Sequence, residues 1–409
     1  MKRFKTLLSE AKLTHLEHIE DAILDDGYQG GVEALKMLKQ IRDVLTGHSN
    51  KAVDIQVKVD GAPAVVCGTC PETGKFFVGT KSIFNRNPKV NYTKADIDAN
   101  HGNSEGLSNK LKAALDHLPK IWKKGLILQG DFMFTPDDLK DVTIDDVDYT
   151  TFTPNTITYA IPKNSPLDKT IQKAKVGIIF HTTYSGDTLA DLSANFKVNI
   201  KQLKQNSSVW FTDTYYQDVS GKATLTSDED DDIMSRLRDA SSELKKLDKN
   251  SLKALFGNDE TTLLVKTWMN SRVREGLKFR GRQQAVASFI DWLRARGQAQ
   301  ASKLKTDKGK QKKLDAIEDM IKELRQGKSA GTFAYTIEWH NNVQEVKDML
   351  VKKMEQVNKI DAFLKTATGY KVTGPEGFVA VDKLSNKAVK LVDRMEFSRA
   401  NFNAVKSWG

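Results

Sequence analysis

The chain has 409 residues, 39% hydrophobic and 28% charged, a globular composition with apolar material for two or three cores. Its formal net charge of +10 favours polyanionic partners, nucleic acid first. No apolar run reaches transmembrane length, the basic N-terminus lacks a signal-peptide pattern, and two cysteines exclude a disulfide framework or a four-cysteine zinc site, so a soluble, cytoplasmic protein is expected.

Residues 13–46 predict two helices. Thr14 and Glu17 form a capping-box pattern, and Leu16, Ile19 and Ile23 share a face. "DDGYQGG" is expected to break the chain before a second stripe of Val32, Leu35, Leu38, Ile41 and Leu45. From 53 to about 220, short runs rich in Val, Ile, Phe and Thr lie between turn signals, with "PETG" as a hairpin turn and one helix over "SNKLKAALDHLPKIW". Cys67 and Cys70 in "CGTC" end a strand rather than open a helix, which fits structural thiols better than a redox pair.

From residue 226 to 366 only helices are expected, and proline is absent. The acidic run Asp228 to Asp232 fits a solvated helix start. Strands return in "GYKVTGPEGFVAVD" and "KAVKLVDR". The fold class expected is α+β: mainly antiparallel sheets over 51–225 and 367–409, N-terminal helices of 1–50 packing on them, and an all-helical insertion over 226–366. Between Lys278 and Lys313 lie eleven Lys or Arg, including Arg280, Arg282, Arg294, Arg296, Lys303 and Lys305, against Asp291 and Asp307 alone. Two readings compete for this basic stretch: a solvated helical surface, or one that grips a phosphate backbone without regard to sequence.

The stretch "QVKVDGAPAVV" carries Lys58 and Asp60 to the end of an alternating strand, followed by Gly61. Alone it reads either as a charged pair on one strand face or as a nucleophile in its setting. Further sheet segments end on charged or aromatic residues: Lys81, Gly130-Asp131, Phe180, Glu376-Gly377, then Lys387 and Lys390. This order resembles the covalent nucleotidyltransferase superfamily of ATP-dependent DNA and RNA ligases and capping enzymes, whose first motif is KxDG. The compact, lysine-rich style is similar to bacteriophage-type polynucleotide ligases. The resemblance covers 53 to about 220 and 370 to 395.

It implies ATP and Mg²⁺ as cofactors and Lys58 as the nucleophile that forms a lysyl-AMP intermediate. Lys387 and Lys390 would stabilise the departing pyrophosphate. Asp60, Gly61, Lys81, Asp131, Phe180 and Glu376 would line the nucleotide site, Phe180 stacking on the base and Glu376 and Asp131 serving the metal. The implied activity joins a 5′-phosphate to a 3′-hydroxyl in RNA or nicked duplex. The sequence also leaves open a DNA ligase specific for nicked DNA, a GTP-dependent capping guanylyltransferase, and a non-catalytic nucleic-acid-binding or phage structural protein on the same scaffold. Two departures stand out. Asp131 replaces the usual glutamate, and the nineteen residues after Lys390 are too few for the oligonucleotide-binding barrel that DNA ligases carry.

Overall fold

The computed structural model describes residues 16–47, 53–215, 224–257, 259–277, 281–356, 361–366, 369–373, 377–382 and 388–395. Strands β1 (Val53–Lys58), β2 (Ala64–Thr69), β3 (Phe76–Gly79), β4 (Ile127–Phe134), β5 (Lys140–Ile144), β6 (Val147–Phe152), β7 (Ile157–Pro162), β8 (Val176–Ser185), β9 (Ser193–Asn195) and β10 (Val209–Asp213) precede a long helical segment. Strands β11 (Asp361–Thr366), β12 (Gly369–Thr373), β13 (Gly377–Asp382) and β14 (Ala388–Leu391) follow it. The helices are α1 (Ala22–Asp25), α2 (Gly27–Leu45), α3 (Lys94–His101), α4 (Glu105–His117), α5 (Pro166–Ile171), α6 (Ser227–Lys246), α7 (Lys249–Phe256), α8 (Asp259–Glu275), α9 (Arg282–Ala301), α10 (Asp307–Arg325) and α11 (Gly327–Met354). The fold is α+β.

The strands form three sheets, ordered β1-β13-β14, β10-β8-β4-β2-β3 with β9 on β8, and β12-β11-β7-β6-β5. Strand pairing is antiparallel except between β10 and β8. "PETG" does turn β2 into β3: Gly74 has φ +68°, and the Cys70 N–H donates to Lys75 O at 2.9 Å. Both cysteines are buried free thiols. A second hairpin, β5–β6, adds to the strands expected. Asp145 and Asp146 hold φ of 49° and 63° between the paired Ile144 and Val147, a two-residue turn that suits residues tolerant of positive φ.

Two expectations at the helix boundaries are corrected. "DAFLK", read as the tail of the last helix, lies in β11, paired with β7 and β12. A short apolar run has no period that separates the two readings, and here pairing with β7 decides. The helices therefore end at Met354, short of 366. At the other end, "GYQGG" does not interrupt a helix but forms the first turns of α2, the break being Gly27 alone at φ +61°. A Cβ on Gly30 would lie 2.1 Å from Ala22 O, and one on Gly31 would lie 2.9 Å from Leu244 Cδ1, so these glycines serve close packing. Val32 is partly exposed rather than part of the buried stripe of Leu35, Leu38, Ile41 and Leu45.

The helical segment shares its core with the N-terminal helices and the first sheet. Ile19, Ile23, Leu38 and Ile41 meet Trp268, Phe289, Phe333, Trp339 and Val343, and the same cluster takes in Val53, Ile55, Phe378, Ala380 and Leu391. Alternate residues of β1, β13 and β14 thus face the helices, which leaves the opposite faces for the second sheet. The acidic start of α6 is not simply solvated. Arg42 pairs with Asp230, and Lys353 Nζ donates to Glu229 at 2.8 Å.

A buried ion cluster ties this body together. Lys347 Nζ on α11 donates to Glu20 Oε1 at 2.9 Å, and both side chains are wholly buried. Arg394 Nη1 reaches Asp21 Oδ1 at 3.2 Å, and His340 Nε2 lies 3.1 Å from the same oxygen. Burial alone would raise the Glu20 carboxyl, yet Lys347, His18 and Arg394 outweigh it and hold the group at about 2. Burial likewise opposes charge on Asp21, and Arg394 and His340 carry it well below the usual carboxylate range. Asp348 behaves oppositely: burial pushes it up to about 6 despite Lys347.

The signs therefore differ. Glu20 and Asp21 contribute stability that is present above their unfolded values of 4.5 and 3.8 and lost as pH falls through the lower folded ones. Asp348 contributes stability that is full below 3.8 and lost as pH rises through about 6. Burial holds the neighbouring His18 imidazole down to about 3, so its contribution is lost as pH falls from 6.5 and opposes that of Asp348. Urea midpoints should therefore fall in acid, and between pH 7 and 4 those of Asp348→Asn should fall more steeply than those of the parent chain; identical slopes over that range would contradict the assignment.

Candidate active site

The period-2 alternation of the first sheet turns Gln56 and Lys58 of β1, Val379 of β13 and Lys390 of β14 toward the second sheet. Gln56 is opposite Val379, and Val379 is opposite Lys390, so the three form a row across the sheet. Lys58 ends β1 opposite Gly377, two residues along and two strands across from Lys390, or about 12 Å between backbones by strand geometry. Facing them are Ala64 of β2, Gln129 and Asp131 of β4, and His181, Thr182 and Tyr184 of β8. Lys81, opening the 3-10 turn after β3, and Leu16 complete one cleft of about 270 Å³.

Hydrogen bonds fix the two sheets against each other at this cleft. The Val57 N–H donates to Thr214 O at 2.7 Å. Thr214 Oγ1 donates to Gln56 Oε1 at 3.1 Å, and the Gln56 amide nitrogen donates to the Phe196 carbonyl. On the far wall Tyr184 Oη donates to Gln129 Oε1 at 2.7 Å. The β4–β8 register shifts so that Gln129 pairs with Thr182 while Gly130 pairs with Phe180. His181 is the extra residue of that bulge, and a bulge re-aims side chains. His181 and Thr182 both line the cleft, His181 Nδ1 lying 2.8 Å from Thr182 Oγ1 and Nε2 3.8 Å from Asp131 Oδ1.

Lys58, Lys81, Asp131 and Lys390, far apart in sequence, therefore share one cleft. Three other expected residues do not line it. Phe180 is wholly buried in the core on the other face of β8, 5.9 Å between ring centroids from Trp122. The aromatic side chains that do line the cleft are Tyr184 and Phe196. Asp60 is buried and turned toward the β6–β7 loop. It accepts from Asn155 Nδ2 at 2.6 Å and from the N–H groups of Thr156 at 2.6 Å and Ile157 at 2.8 Å. It anchors the residue after Lys58's strand to the third sheet instead of touching a ligand.

Gly61 works by close approach, not by turn freedom. A Cβ there would lie 2.4 Å from Asp131 Cβ and 2.9 Å from Met133 Sδ. The loop after Lys58 lies along β4, with the Ala62 N–H donating to Phe132 O and the Phe132 N–H to Pro63 O, both at 3.0 Å. The glycine thus brings the Lys58 segment down onto the Asp131 strand. Glu376 and Lys387 lie outside the described residues.

The chain belongs to DUF6267, a family of unknown function. The match spans residues 13–406, through the sheets and the helical body alike. No curated protein and no solved structure matches the chain.

In this DUF6267 chain, Asp131 is the carboxylate that lines the cleft among the described residues, and no group of three potential metal ligands occurs among them. A magnesium ion that arrives on nucleotide phosphates needs only one or two protein carboxylates, a requirement Asp131 fits. The basic stretch is less open than its composition suggests. Arg294 is held by Glu318 through two bonds of 2.8 and 3.0 Å, Arg296 lies over the Trp292 ring at 5.2 Å, and Arg282 lies over Tyr335 at 4.8 Å. Lys303 and Lys305 are exposed at the turn between α9 and α10, and Lys308 is exposed in the first turn of α10. Arg280 lies outside the described residues.

His181, Thr182, Gln129, Gln56, Thr214, Tyr184 and Phe196 are the polar and aromatic cleft residues that sequence reasoning did not assign to the site. The available signal was alternation from a buried Phe180, which places His181 on the opposite face. Thr182 could not be found that way, because the bulge breaks the alternation.

Proposed function

We propose that the chain is an ATP-dependent nucleotidyltransferase of the polynucleotide-ligase kind, acting on RNA or nicked duplex. The observation that carries this reading is the convergence of Lys58, Lys81, Lys390 and Asp131 on one cleft between two sheets. Lysines suit the binding of a phosphate chain. At about 270 Å³ the cleft sits near the lower end of small-ligand sites, roughly 300–1,000 Å³, so it suits a single nucleotide rather than an oligonucleotide.

In the proposed reaction the unprotonated Lys58 amine attacks the α-phosphorus of ATP. A P–N bond forms, the bond from the α-phosphorus to the bridging oxygen breaks, pyrophosphate leaves with that electron pair, and the proton that the amine gives up passes to water. Lys390 and Lys81 offset the charge that develops on the phosphates. Asp131 would serve a magnesium ion carried on the phosphates, and Tyr184 or Phe196 would pack on the base. A 5′-phosphate oxygen then attacks the same phosphorus, the P–N bond breaks and Lys58 leaves as a protonated amine; a 3′-hydroxyl next attacks the 5′-phosphorus, AMP leaves with the bridging oxygen and the hydroxyl proton passes to water.

Intact mass measurement after incubation with ATP and Mg²⁺ should show one AMP-sized increment, and incubation with GTP should show none. A GTP adduct would favour a capping-type enzyme. Nucleic-acid binding with no adduct from either nucleotide would favour a non-catalytic protein on this scaffold.

For the nucleic acid, exposed Lys303, Lys305 and Lys308 are the residues to test. Changing all three to Gln should weaken binding and reduce the slope of log affinity against log salt by about 2–3, because each phosphate that a lysine neutralises adds about 0.7–0.9 to that slope. Arg294→Gln should have little effect, since Glu318 already holds that guanidinium. An unchanged slope in the triple variant would remove the helical body from the binding surface.

A further inference from the structure

The ion cluster buried behind the first sheet has one further consequence for the cleft. Lys390 does not sit on an open sheet edge. Its backbone N–H donates to Glu17 O at 2.9 Å, and His18 forms a parallel bridge with it. The residues just before the 3-10 turn Ile19–Asp21 therefore meet β14 at this one bridge, and Leu16 beside them lines the cleft.

Three acids of that segment are gripped by other elements. Lys266 of α8 holds Glu17 at 3.3 Å, and Lys347 of α11 holds Glu20 at 2.9 Å. His340 of α11 and Arg394 hold Asp21, at 3.1 and 3.2 Å. Arg394 lies four residues beyond Lys390 on the same strand exit, and its Nη2 donates to Asn270 Oδ1 of α8 at 2.5 Å. The two chain segments that flank Lys390 are thus both bound to α8 and to each other, and the first is also bound to α11.

Stability alone is a poor reason for such an arrangement. Stripping water from two charges costs about what their attraction returns, and apolar residues of similar volume often serve as well or better. What ionic and hydrogen-bonded contacts add over apolar ones is direction. We infer that the Glu20–Lys347 and Asp21–Arg394–His340 cluster is a positioning device that sets the height of Lys390 in the cleft through Glu17 O. These residues touch no substrate and act only through Lys390. The inference rests on the reading of Lys390 as a phosphate-binding group, and it adds the N-terminal segment and α11 to the working parts of the site.

The test is the double variant Glu20→Gln with Lys347→Met, which removes both charges and keeps the volume. Native-state labelling of lysine amines, read by peptide mass spectrometry, gives the rate at Lys390 relative to Lys58 and to the distant Lys303. The expected result is a Lys390 rate altered by about threefold or more with the other two unchanged. Lysyl-AMP formation should slow by about tenfold or more, since small misplacements of a reacting constellation slow it steeply, with the loss in kcat rather than in KM for ATP.

A folded double variant whose Lys390 rate and adenylation rate both stay within about twofold of the parent protein overturns the inference, since a mere packing role predicts that result. Should the double variant not fold, Arg394→Lys, which keeps the charge but not the reach to Asp21 and Asn270 together, is read by the same two measurements and the same two outcomes. If the parent protein forms no lysyl-AMP at all, the nucleotide reading fails, while the labelling ratio still decides whether the cluster positions Lys390.

Discussion

Lys58→Ala protein incubated with ATP and Mg²⁺ is expected to keep its unmodified mass while the parent chain gains an AMP-sized increment. The loss should be close to complete, at least about a thousandfold in rate, because removal of a nucleophile leaves binding and electrostatics with no bond-forming atom to serve. Lys58→Arg should be as inactive, since a guanidinium stays protonated. Lys58 ends its strand and faces the cleft, and the neighbouring anchor Asp60 keeps its three bonds to the β6–β7 loop in both variants. An increment that persists in Lys58→Ala would move the nucleophile elsewhere, with Lys390 and Lys81 the next residues to replace. Lys390→Ala should leave a slow residual adenylation, because it removes charge stabilisation and not the attacking group.

The second large effect is on stability. Phe180→Ala should destabilise the fold by about 3–5 kcal/mol, the usual cost of emptying a buried phenylalanine site. The ring is wholly buried in the core between β8, α4 and the loop that carries Trp122. Phe180→Leu keeps most of the volume and should recover most of that loss. ATP affinity in Phe180→Leu should stay near the parent value, measured by calorimetry at a temperature where both are folded. Tyr184→Ala and Phe196→Ala should instead weaken nucleotide binding, by about 1–3 kcal/mol for whichever ring stacks on the base. If Phe180→Leu loses nucleotide binding while both cleft variants keep it, the assignment of Phe180 to the core has missed its role.

The contrast between Phe180 and His181 shows where a sequence reading stops. A strand such as "VGIIFHTTY" announces itself by its β-branched and aromatic residues, but nothing local says which parity faces a core. In β8 the Phe180 side is covered by α4 with Leu111, the 3-10 turn that opens at Leu118 and the following loop with Trp122, and only that packing turns His181 toward the cleft. The bulge against β4 then adds Thr182 to the same wall. Asp60 poses a related problem. It matches a motif in sequence, yet β1 ends at Lys58, so the alternation that would put both residues on one face has already stopped.

Arg294 and Arg296 illustrate the limit for charge. Composition marks a basic stretch correctly, but Glu318 sits one helix away and twenty-four residues on. Whether a guanidinium is offered to a partner or held by a neighbour depends on how α9 and α10 pack.

The sequence by itself determined the α+β class, the strand-rich and helical segments and the "PETG" hairpin, because these rest on side-chain periodicity and turn chemistry within a few residues. It also picked out Lys58, Lys81, Asp131 and Lys390, since charged side chains at strand ends are visible without knowing what faces them. Only the tertiary structure decided that these four share a cleft, that Phe180, Asp60 and Gly61 lie outside it, and that the helical body closes its core over the first sheet and the N-terminal segment. The reason is one of range. Burial, register and ion pairing are settled by residues hundreds of positions apart, as with Glu20 and Lys347, and local sequence carries no record of which distant surface arrives to meet it.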